Sequence, residues 1–180
     1  MNCVIGGMDG GRRVVHVDAV STPVVVLAFV SALGSGLVAG VFFAFSTFVM
    51  RALARLEPAE GIRAMQHINV TVITPLFMAA LFGTGLTCLA LVVAALLDWD
   101  GSYGPYLVAG GALYVIGTLV VTMAFNVPRN DELASLDPAA PGSDAVWQRY
   151  LAEWTAWNHV RTVAPLVASG LLVAALYVGG

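Results

Sequence analysis

Four long stretches without a charged side chain decide what this chain can fold into. Residues 24–50, 70–97 and 106–125 each offer the ~20 apolar residues that a helix needs to cross a hydrocarbon core, and 163–178 comes close. Lipid supplies no hydrogen-bond partners to a backbone, so such runs must be helices that satisfy their own polar groups. The composition agrees: 59% of the residues are hydrophobic and 11% charged, with a mean hydropathy of +0.86, outside the range of water-soluble domains. The expectation is an all-α integral membrane four-helix bundle with spans at about 24–50, 68–97, 106–126 and 159–178. They form one domain over 24–180, with 1–23 as a flexible N-terminal tail.

That tail carries Gly6, Gly7, Gly10, Gly11, Arg12 and Arg13 but no separate apolar run ending at a small-residue site, so no cleaved signal peptide is expected. Cys3 and Cys88 lie in the tail and inside the second run, an arrangement that suits neither a disulfide nor a C-x-x-C metal site. Every basic residue is an arginine. Arg51, Arg55 and Arg63 flank the first loop and Arg129, Arg149 and Arg161 the third, which places both loops in the cytoplasm and both termini outside, in a bacterial plasma membrane. The lipid bilayer is the first partner. No basic stripe with interleaved aromatics points to nucleic acid, and a homo-oligomer stays open.

The two halves of the chain repeat each other. At an offset of 80, Val41-Phe-Phe-Ala-Phe-Ser46 matches Val121-Thr-Met-Ala-Phe-Asn126, and Leu56-Glu-Pro-Ala59 matches Leu136-Asp-Pro-Ala139. Eight of nineteen positions from 41 to 59 are identical, and they include a loop proline that shared apolar composition alone does not explain. At an offset of 90, Asn69 to Leu76 aligns more weakly with His159 to Leu166. Each unit is then a two-span hairpin, and the pseudo-twofold axis runs along the membrane normal. Pro75 and Pro165 fall inside the second and fourth spans, where each is expected to kink its helix. Pro128 is expected to end the third. Trp147, Tyr150, Leu151 and Trp154 share one face of a short interfacial helix before the fourth span, as headgroup anchors or, alternatively, as a wall for a ligand.

The repeat brings a set of polar residues to the loop end of the bundle: Ser46 with Asn126, Asn69 with His159, and Thr71 with Arg161. His159 suits acid or base work, because an imidazole titrates near neutral pH. Arg161 suits the stabilisation of an oxyanion or phenolate, with headgroup binding as its alternative. His67 could join His159 at a haem or metal, although neither histidine sits in a ligand-spacing motif. No nucleophile elbow, phosphate loop or dinucleotide fingerprint occurs.

With Met65-Gln-His-Ile-Asn69, Asn126-Val-Pro-Arg-Asn130 and Trp154-Thr-Ala-Trp-Asn-His-Val-Arg-Thr162 in place, the chain resembles the anthrone oxygenase family over roughly 26–176. The resemblance implies oxidation of an anthrone-like polycyclic phenol to a quinone by dioxygen as co-substrate, with no dedicated cofactor. His159 would be the base and Arg161, with Asn126 or Asn158, the phenolate stabiliser. Ser46, Asn69, Trp157 and Asn158 would hold this hydrophobic aromatic small molecule. The alternative is a non-catalytic accessory protein or carrier of apolar ligands using the same pocket, and a haem or metal protein is a third reading.

Overall fold

The computed structural model describes residues 21–99 and 101–179. The tail expected over 1–23 lies almost wholly outside them. Among the described residues there are five helices: α1 (Thr22–Leu53), α2 (Pro58–Thr71), α3 (Pro75–Leu97), α4 (Gly104–Ala134) and α5 (Ser143–Val178). All except α2 are long and apolar enough to cross a membrane, and the chain is an all-α, four-span integral membrane protein.

Around the bundle α1 packs on α5, α5 on α4, α4 on α3, and α3 back on α1. The repeat partners α1 and α4 therefore stand diagonally, as do α3 and α5, which is the arrangement a duplicated hairpin produces. Close approach of backbones replaces hydrophobic drive inside lipid. At Gly111 an added Cβ would come within 2.7 Å of the Cys88 carbonyl oxygen, so only glycine lets α4 lie this near α3.

Two apolar cores are stacked along the bundle. One, within the spans, includes Ala28, Val38, Phe42, Cys88, Leu91, Leu107, Tyr114, Ala168 and Leu172. The other joins Met50, Leu53, Ile62, Met65, Leu133, Trp147, Tyr150 and Trp154 where α1, α4 and α5 run on past their apolar stretches and meet α2. Gly61 of α2 sits flat on the Trp147 ring, 2.8 Å from where its Cβ would be.

Four expectations are corrected. The second span starts at Pro75 rather than near 68: Ile73 and Thr74 leave helical geometry, and the Thr74 hydroxyl caps the new helix by accepting from the Phe77 N–H at 3.2 Å. Pro75 is thus a helix starter, a position where a missing N–H costs nothing. Pro128 does not end the third span, which runs on to Ala134, because that proline opens an α-helical segment after a π-helical turn. The interfacial helix and the fourth span are one unbroken helix of 36 residues. Finally, Trp147, Tyr150 and Trp154 are core residues, not headgroup anchors, each at most 4% exposed, since α2 and the end of α4 cover the face they share.

Candidate functional site

α1, α3 and α4 each widen into a π-helical turn near the loop end of the bundle, at Phe45–Val49, Ala79–Gly83 and Thr122–Asn126. Such turns are rare and cluster at functional sites. Here each contributes residues to the wall of one cavity of about 210 Å³: Phe45 from the first, Leu81 and Phe82 from the second, Thr122 and Met123 from the third. α2 adds Met65, Ile68 and Asn69, and α5 adds Trp154 and Arg161. Arg161 is the one charged residue in a lining that is otherwise mostly apolar, with Asn69, Thr122 and Asn130 as its uncharged polar members.

The arginine is held from behind. The Asn158 amide nitrogen donates to the Phe42 carbonyl and to Ser46 Oγ, both at 2.8 Å. That leaves Asn158 Oδ1 to accept from Arg161 Nη2 at 3.0 Å. The Phe42 carbonyl lies just where α1 passes into its π-helical turn, where the widened ladder leaves an oxygen room for a second partner. Ser46 and Thr162 hydroxyls pair at 2.8 Å, and Arg161 Nη1 reaches Thr122 Oγ1 at 3.3 Å. Pro165 has no N–H for the Arg161 carbonyl four residues back, so the helix is loosened at this residue.

The guanidinium lies over two rings, 4.4 Å from the Phe42 centroid and 5.0 Å from Trp154. Trp154 is fixed in turn by Asn130, whose Oδ1 accepts from Trp154 Nε1 and from the Tyr150 hydroxyl, both at 2.8 Å. The stacking contributes about 0.5–2 kcal/mol per ring, whereas burying a lone charge costs several kcal/mol. Arg161 is only 5% exposed, and the ion pairs among the described residues are Arg129 with Glu153 and Arg149 with Glu132. Among the described residues no carboxylate pairs with Arg161, and its Nε is buried without a partner. The amide nitrogen of Asn69, another residue of the lining, is also buried, next to the Tyr150 hydroxyl. Two donors therefore line one mostly apolar space, one of them cationic.

Of the residues singled out from the sequence, Arg161 and Asn69 line the cavity, while Asn158 and Ser46 form the network behind the arginine. Asn126 is fully buried beside them and donates to the Trp154 carbonyl at 3.2 Å, a brace for the tryptophan. Trp157 stacks on Phe125, 3.6 Å between centroids and 8° between planes, away from the lining. His159 is not brought to the site. It lies on an exposed face of α5, turned by about 200° from Arg161 at about 100° per residue. His67 and Thr71 are exposed as well. Trp154 lines the cavity, as the alternative reading of its aromatic face expects, and Asn130, also in the lining, braces it; that bracing was not expected from the sequence, and the spacing of four between Tyr150 and Trp154, both bonded to Asn130, is its only trace there.

No curated protein and no solved structure matches the chain. The family model described as anthrone oxygenase matches residues 75–171. That stretch covers more than half of the chain and carries Asn126, Asn130, Trp154, Asn158 and Arg161, but ends short of α1 and α2. The chain belongs to the anthrone oxygenase family.

Proposed function

We propose that the cavity binds an anthrone-like polycyclic phenol and favours its anion for oxidation by dioxygen, without a resident cofactor. The observation that carries this reading is the buried Arg161 guanidinium, with no carboxylate partner among the described residues, in a mostly apolar lining. A ligand anion completes that charge, and a fixed cation in a dry site is worth far more to a developing negative charge than the same cation in water. The central methylene of an anthrone loses a proton to give a delocalised, phenolate-like anion, and that anion is the species that reacts with oxygen. Over the whole reaction the methylene gives up both hydrogens, one oxygen atom becomes the new carbonyl, and the other leaves as water.

Arg161 supplies the anion contact, Asn158 orients it, and Asn69 faces a second oxygen of the ligand. In this reading His159, which is exposed, is not the base: the ionisation is driven by stabilising the product anion, with the proton leaving to solvent. Loops one and three face the cytoplasm in this reading. The test is oxygen uptake with anthrone in membranes carrying Arg161→Met, where turnover falls by about 100-fold or more, the scale of losing one anion-stabilising donor. Uptake at the unmodified rate would remove the arginine from the chemistry and the reading with it.

A further inference from the structure

The cavity's mouth opens sideways. α3 and α4 are in close contact along one stretch, marked by Gly111 against the Cys88 carbonyl and by Gly85 against the Leu119 side chain. Beyond that contact, toward the loop end, Met78 and Phe82 of α3 and Thr122 and Met123 of α4 face the same empty space. Among the lining residues Phe82 is 48%, Met123 57% and Ile73, just before α3, 68% exposed, so Phe82 and Met123 are lips on the α3–α4 side and Ile73 lies at the loop end of the same mouth. Outside the lips a shallow groove continues over Leu119, Val120, Met123 and Ala124. Every one of these groove residues is apolar, and both lips belong to helices of membrane-spanning length and hydropathy. A stretch of such length and hydropathy belongs in hydrocarbon, so we take the medium outside the slot to be lipid.

We propose that the cavity is loaded from the bilayer, through the slot between α3 and α4, by a lipid-dissolved aromatic weak acid that enters neutral, gives up its proton to water at the loop end of the cavity, where Ile73 is exposed, and is held as its anion at Arg161. Only the ligand's class rests on the function proposed above; the route rests on the slot. The physical logic is that a neutral acid partitions into lipid while its anion does not, so charge separation at Arg161 retains what the membrane delivered. Asn69, in the same lining, gives the ring system a second fixed point.

The route is tested by binding kinetics under anaerobic conditions, so that oxidation plays no part. The protein, with Cys3→Ser and Met123→Cys, is placed in phosphatidylcholine vesicles, and anthrone binding is followed by quenching of tryptophan emission, Trp154 being in the cavity wall. Capping the new thiol with a benzyl methanethiosulfonate should slow association and dissociation alike by about tenfold or more, leave the Kd within about twofold, and be reversed by reduction. The same cap at Leu86→Cys, on an outward position of α3 that is 69% exposed, should change neither rate. The route is overturned if capping at 123 leaves association unchanged, if it weakens affinity without slowing dissociation, or if water-soluble anthraquinone-2-sulfonate fills the cavity as fast as anthrone. Saturable anthrone binding without oxygen uptake would overturn the oxidation reading and leave the route standing. Absence of saturable binding would overturn both.

Discussion

Arg161 sits where a folding protein gains least from a charge. Its hydrogen bonds to Asn158 and Thr122 and its two rings hold it in place without supplying an opposite charge, and unpaired buried ions are costly. Arg161→Met should therefore leave the fold as stable as before or up to about 1–4 kcal/mol more so, the range seen when buried ionic groups give way to apolar ones; thermal unfolding in detergent measures it, and a clear drop would make the arginine structural. Asn158→Ala has the opposite expectation. It removes one hydrogen bond each from the Phe42 carbonyl, Ser46 and Arg161, so a loss of about 1–3 kcal/mol should accompany loss of turnover. His159→Ala, on the exposed face, should shift stability by no more than about 0.5 kcal/mol and keep most oxygen uptake; abolished uptake with intact folding would return the histidine to the chemistry. At this scale the sequence announced the important neighbourhood, Trp157 to Thr162, but not its facing. Asn158, His159 and Arg161 are equally conspicuous in one dimension, and only the burial pattern of α5 turns two of them inward and one out.

The elements were legible where hydropathy alone determines them and obscure where it does not. All four spans follow from uncharged length. The break at Ile73 and Thr74 does not, since that stretch is as apolar as a span; yet Thr74 followed by Pro75 is a helix-start signature that outweighs it. In the second repeat no such cap interrupts the run, and α5 passes through Pro165 unbroken. The difference matters for the cavity, because detaching α2 from α3 is what brings Asn69 and Met65 over its end. The contact between α3 and α4 can be probed directly. Gly111→Val would press methyl groups onto the Cys88 carbonyl and the Val92 side chain, and overpacking of this kind costs about 1–3 kcal/mol. A lowered melting temperature is expected; an unchanged one would mean that the spans do not meet there.

For the whole molecule, the duplication read from nineteen aligned positions describes the layout better than it describes the chemistry. It places equivalent helices on the diagonals, and it aligns Ser46 with Asn126, which both fall in π-helical turns. It misleads at its weaker end, where Asn69 reaches the cavity and its counterpart His159 does not. Purified protein should show no Soret band and no stoichiometric metal if oxygen chemistry runs without a resident cofactor; either finding would reverse that part of the proposal. The ring order has a further consequence. α1 and α5 are neighbours, tied by the Ser169 hydroxyl to the Ala32 carbonyl at 2.8 Å and by Asn158 to Ser46, while the loop between α3 and α4 is the covalent link from one hairpin to the next. The molecule is therefore divisible. Cut in that loop and produced as two separate hairpins, the chain should reassemble in the membrane. Because Arg161 comes from one piece and Phe42, Ser46 and Asn69 from the other, recovered anthrone binding would report that the halves had found each other.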